Sequence, residues 1–115
     1  MNIYLREALP NWLNFPLSYL RLIKEEKTDF LPWWLSDRKD IEWRLPGLKA
    51  RYPHRSLFPF ARKDGTDEVA CWDELMPGRV VIIYDYDIPG FEEGEIFENF
   101  EEWYKFALSE QDDEC

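Results

Sequence analysis

Apolar and polar positions change their period several times along this chain. The strongest signal is Val80-Val81-Ile82-Ile83-Tyr84, a run that is apolar and largely β-branched. Such a run predicts a central strand covered on both faces of a sheet. Two apolar stretches precede it, Leu57-Phe58-Pro59-Phe60-Ala61 and Val69-Ala70-Cys71-Trp72. The polar cluster between them, residues 62–67, contains Asp64-Gly65, the strongest hairpin signal in the chain. Met76-Pro77-Gly78 predicts another turn, Pro89-Gly90 a turn after the central strand, and Ile96-Phe97 a last short strand.

The period then becomes helical. Phe100, Trp103, Tyr104, Ala107 and Leu108 fall at i, i+3, i+4, i+7 and i+8. Asn99 is placed to cap that helix, with Glu102 as its capping-box partner. Glu101 and Lys105 stand one turn apart on the outer face, and residues 110–115 are expected to fray.

The first half is broken by Pro10, Pro16, Pro32, Pro46 and Pro53. Residues 3–9 suggest a short helical turn. A better helix starts near Asn14, with Pro16 at its first position, Leu17, Leu20 and Ile23 on one face, and Tyr19 and Leu22 beside it. Phe30 to Leu35 is extended and aromatic-rich, because Pro32 interrupts any helix. In the charged region that follows, Ile41, Trp43 and Leu45 alternate with Glu42 and Arg44, which predicts a short strand. Consecutive strands joined by short turns give a mainly antiparallel sheet, and with the flanking helices an α+β fold.

A length of 115 residues, 45% hydrophobic and 33% charged, fits one folded domain spanning 1–115. No apolar run is long enough to cross a membrane. The N-terminal residues lack the basic start and apolar stretch of a secretion signal, so the chain is expected in the cytoplasm. Cys71 sits within an apolar stretch and Cys115 is the last residue, which fits reduced thiols rather than a disulfide framework. With one His and no zinc spacing, neither a metal centre nor any other cofactor is expected.

Charge is unevenly distributed. Residues 85–115 hold twelve acids and one base (−11), and residues 1–84 hold twelve acids and thirteen bases (+1), which together give the net −10. Within the first part, residues 38–63 hold eight bases and two acids (+6). That stretch, interleaved with Trp43, Tyr52 and Phe58, is the best case for nucleic-acid binding, but the acidic total opposes phosphate contacts and favours a basic partner.

Candidate chemistry is sparse. His54 lies among bases with no nucleophile or orienting acid in view. Asp85 and Asp87, at i and i+2 of an extended segment, would face the same way and offer a hard-cation pair; the simpler reading is a solvated strand end. Asp64, Gly65, Asp67 and Glu68 suit a turn better than a calcium loop. Trp33, Trp34 and Trp43 are either core residues or a surface platform, stacking on bases or anchoring a protein partner. The acidic run Asp85, Asp87, Glu92, Glu93, Glu95, Glu98, Glu101, Glu102 is either a solvated face or a surface for a basic partner.

The order Leu57-Phe58-Pro59-Phe60-Ala61, Asp64-Gly65-Thr66-Asp67 and Ala70-Cys71-Trp72-Asp73 resembles the signature of the SUKH superfamily. Residues 80–84 look like the next family strand. Phe97, Phe100 and Trp103 look like its aromatic approach to the last helix, and Pro16-Leu17-Ser18-Tyr19 like its Pro-x-x-Tyr. The likeness covers about residues 57–108, and the family's Gly-containing first hairpin is not found. It implies an α+β domain with a curved, mainly antiparallel sheet and helices packed against it. It also implies a non-catalytic immunity protein that binds and neutralises a toxin domain. Expected contacts are Asp85, Asp87, Glu92, Glu93 and Glu95, with Trp33 and Trp34 as anchors, and no nucleic acid or membrane is involved. The alternatives are a regulatory scaffold, as in the family's cell-wall regulators, and a metal-dependent enzyme built on Asp85 and Asp87.

Overall fold

The computed structural model describes residues 10–112. The expected helical turn at 3–9 and Cys115 lie outside the described residues. Six strands form one antiparallel sheet in chain order: β1 (Asp29–Phe30), β2 (Trp33–Leu35), β3 (Leu57–Lys63), β4 (Glu68–Asp73), β5 (Met76–Tyr84) and β6 (Glu93–Phe97). Three helices accompany them: α1 (Leu17–Lys24), α2 (Arg38–Arg51) and α3 (Phe100–Asp112). The α+β class is as the sequence predicts.

Side-chain alternation divides the interior into two clusters. Phe58, Phe60, Trp72, Val80 and Ile82 point to the face where α1 and α3 contribute Tyr19, Ile23, Phe100, Trp103 and Ala107. Leu57, Val69, Cys71, Val81 and Ile83 point to the opposite face, under Leu48 of α2 and the following Tyr52. The β5 run is therefore covered on both sides, as expected. The first cluster is largely aromatic: Phe60 stacks on Trp72 with centroids 4.2 Å apart, and meets Trp103 edge-on at 5.0 Å. Such pairs each add about 0.5–1.5 kcal/mol beyond area burial. Burial pushes the Cys71 thiol upward, which keeps it protonated.

Local signals explain several boundaries. Gly65, at φ +76, closes the β3–β4 hairpin in a conformation that glycine adopts freely. The amide of Glu102 donates to Asn99 Oδ1 at 2.9 Å, capping α3 as expected.

Other expectations need correction. Residues 41–45 are helical rather than a strand. Asp37 caps α2 by accepting the Asp40 amide at 2.9 Å, and Ile41 and Leu48 turn inward at i and i+7 while Trp43 points out. Pro46 lies inside this helix. The turn before β5 is at Glu74 and Leu75, while Pro77 and Gly78 belong to β5, in a bulge where the pairing shifts from Trp72↔Val80 to Asp73↔Met76. In α1 the buried residues are Tyr19, Leu22 and Ile23, with Leu17 exposed and Pro16 at the N-cap. Glu101 accepts from the Ser18 hydroxyl at 2.7 Å, and Lys105 pairs with Glu102 instead. Glu110, expected to fray, accepts the Trp33 indole N–H at 2.7 Å and Lys63 Nζ at 2.8 Å. The hydrogen bond to Glu110 is the main reason that the Lys63 ammonium is held above its usual pKa.

Candidate interaction site

The basic segment 38–63 and the acidic segment beyond Tyr84 meet along one seam. Arg44 Nη1 lies 2.6 Å from Asp85 Oδ2, and Arg51 Nη2 binds Asp85 Oδ1. Asp85 is 1% exposed. The Arg51 guanidinium also lies 4.1 Å from the centroid of the Tyr86 ring. Arg55 binds three acids, Asp73 at 2.7 Å, Glu92 at 3.0 Å and Glu93 at 3.0 Å. Burial alone would favour a neutral Arg55, but hydrogen bonds to the three carboxylates reverse that and hold it charged. For Glu92, burial raises the pKa, but the amides of Glu92 and Gly90 and the Arg55 guanidinium outweigh it and keep the carboxyl below its ordinary value.

These pairs sit beneath the loop from Asp85 to Glu92, and they anchor its backbone. The Tyr52 hydroxyl lies 3.2 Å from the Tyr84 carbonyl oxygen and 3.0 Å from that of Asp87, donating between them. Burial, and after it the Asp85 carboxylate, raises the pKa of this phenol, so it stays a donor. The Gly90 amide donates to Glu92 Oε1 at 2.6 Å and the Phe91 amide to the Ile88 carbonyl at 2.9 Å. Tyr86 is held at φ +71, the left-handed region that a tyrosine rarely adopts.

Besides Asp87, the loop presents large apolar side chains outward. Ile88 is 68% exposed, Phe91 72% and Tyr86 57%. Trp43 on α2 is 65% exposed, with the Arg44 guanidinium 5.5 Å from its ring centroid. One chain of contacts thus runs from Trp43 through Arg44, Asp85 and Arg51 to Tyr86. Asp87 in the loop and Glu95 in β6 are exposed, and Glu93 is partly exposed beside Arg55.

The expected contact residues are therefore not one surface. Trp33 is buried in the aromatic cluster, against Trp103 at 5.4 Å. Trp34 is half-buried on the other side of the strand, with Arg62 4.5 Å over its ring. Asp85 and Glu92 are buried in ion pairs. Asp87, Glu93 and Glu95 reach solvent. The positive φ of Tyr86 ends the extended geometry, so Asp85 and Asp87 do not face the same way. A depression of about 470 Å³ is lined by both, but the Asp85 carboxylate is already spent on two arginines. Among the described residues, no three His, Cys, Asp or Glu side chains are grouped to hold a metal ion. No helix among them is long and apolar enough to cross a membrane.

Sequence reasoning missed Tyr86, Ile88 and Phe91 as surface residues, while Trp43, which the sequence left between core and surface platform, is on the surface. The available signal was Ile88-Pro89-Gly90-Phe91, a turn carrying large apolar residues with no periodicity to bury them. Compared with protein-family models, curated proteins and solved structures, the chain matches none.

Proposed function

We propose that this chain is a non-catalytic, cytoplasmic protein-binding module that neutralises a basic toxin domain by stoichiometric binding, as immunity proteins do. The observation that carries the reading is the anchored loop between β5 and β6. Three large apolar side chains stand in solvent on a backbone tied down by buried charged and hydroxyl groups. Binding through such a loop loses little conformational freedom. Aromatic anchors of this kind supply most of the energy at protein interfaces. The exposed carboxylates of Asp87 in the loop and of Glu93 and Glu95 in β6 favour a partner rich in Lys and Arg, and would speed its approach. The resemblance of residues 57–108 to SUKH proteins supports a toxin as that partner. The reading requires no cofactor, nucleic acid or membrane.

The test begins with the DNA flanking the gene. A large neighbouring reading frame with a variable C-terminal tip supplies the candidate, to be co-purified with this chain. The expected result is a one-to-one complex that D87K/E95K weakens by at least roughly tenfold at low salt and less at high salt. Unchanged affinity would remove the electrostatic part of the proposal. A gene surrounded by housekeeping enzymes, with no such frame, would favour the regulatory scaffold.

A further inference from the structure

Glycine inside a helix is disfavoured relative to alanine, yet Gly47 lies in the middle of α2. Its surroundings give a reason. A Cβ built there would stand 3.0 Å from both Nη1 and Nη2 of Arg51, closer than ordinary van der Waals contact. The guanidinium thus occupies the space that a side chain at 47 would fill. It is constrained elsewhere too, by Asp85 and by the Tyr86 ring. Gly47 and Arg51 are one turn apart, at i and i+4, so the seat is built into the helix.

We propose that Gly47 is a positioning residue: it seats Arg51, and the seated Arg51 fixes Asp85 and Tyr86 so that the loop from 85 to 92 is preorganised before any partner arrives. The importance of this for recognition rests on the protein-binding reading above, but the clamp itself does not. A methyl group at 47 requires the guanidinium to give by a few tenths of an ångström, and that shift draws on its contacts with Asp85 and the Tyr86 ring. Arg44 remains on Asp85, so the loop loosens without the fold being lost.

Helix propensity and the seat predict opposite outcomes, which makes the test sharp. Amide hydrogen exchange is measured on the full chain, without partner, for the native protein, G47A, R51Q and G47A/R51Q. The expected result is exchange at least about tenfold faster at 85–92 in G47A and in R51Q, with β3 to β5 and α3 unchanged. Adding G47A to R51Q should then give no further acceleration, because the group it displaces is gone. G47A exchange at 85–92 equal to native would overturn the proposal, and equal acceleration by G47A in both backgrounds would do so too. Should G47A fold poorly, native-like loop exchange in R51Q alone would also overturn it. None of these outcomes depends on a partner, so failure here leaves the binding reading standing.

Discussion

Asp85 and Asp87 differ only in what surrounds them, and the difference is large. Asp85 has two guanidiniums and almost no contact with water, while Asp87 is exposed. Removing one partner of a buried pair leaves the others uncompensated. Asp85→Ala, which leaves Arg44 and Arg51 facing each other, is expected to lower the unfolding free energy by about 3 kcal/mol. Asp87→Ala loses only a hydrogen bond from the Ile88 amide and is expected to cost less than about 1 kcal/mol. Urea unfolding of both variants checks this, and equal midpoints would contradict the burial contrast. Nothing in the sequence separates the two acids, because the left-handed Tyr86 between them is not encoded by any glycine or asparagine. The two tryptophans were more legible. Adjacent residues on a strand point to opposite faces, so only one of Trp33 and Trp34 could enter a given core. Which one does depends on the register Trp33↔Lys63 and Trp34↔Arg62, which pairing across 30 residues decides.

At the scale of elements, legibility follows how local the cause is. The β3–β4 hairpin, the β5 run and the cap of α3 are written in neighbouring residues, and each appears where the sequence places it. The strand expected at 41–45 is instead part of α2, since Ile41, Trp43 and Leu45 satisfy a period of two by coincidence while Ile41 and Leu48 satisfy a helix. Pro46 also argued against a helix, and its lost N–H is tolerated because Asp37 caps the start and Leu48 packs under the sheet. The end of α3 shows the opposite error. Residues from 110 on read as a charged tail, yet Glu110 joins α3 to β2 and β3 through Trp33 and Lys63. Its partners lie 77 and 47 residues away, beyond any local pattern. Glu110→Ala leaves the buried indole N–H of Trp33 without its acceptor and is expected to cost about 1–3 kcal/mol. Thermal unfolding checks the magnitude, and a Trp33 indole resonance unchanged in the variant would sink the assignment.

Across the whole molecule the two faces of the sheet are held by different forces. The face toward α1 and α3 is a cluster of stacked and edge-on aromatics. The face toward α2 has a smaller apolar cluster and depends on guanidinium–carboxylate pairs at its rim. The charge asymmetry of the sequence is therefore not an asymmetry of the surface alone: bases at 44, 51 and 55 are folded onto acids at 73, 85, 92 and 93. Acid should distinguish the two faces. Glu92 has a folded pKa below the unfolded value of about 4.3, so the unfolded chain binds the extra proton in the interval between them. Its stabilisation is complete above the unfolded value and is lost as pH falls through the folded one. As pH falls through that folded value, then, Arg55 loses a charged partner, the Gly90 amide loses its charged acceptor, and the loop and the end of α2 should open first. The stacked and edge-on rings of Phe60, Trp72, Phe100 and Trp103 contain no group that titrates in this range. Hydrogen exchange followed from pH 6 to pH 3, corrected for the intrinsic rate, should show protection lost at 85–92 and 51–55 while Trp103 and its neighbours in α3 keep theirs. Simultaneous loss everywhere would mean that the seam is not a separate unit, and that the recognition loop shares the stability of the core rather than resting on its own ion pairs.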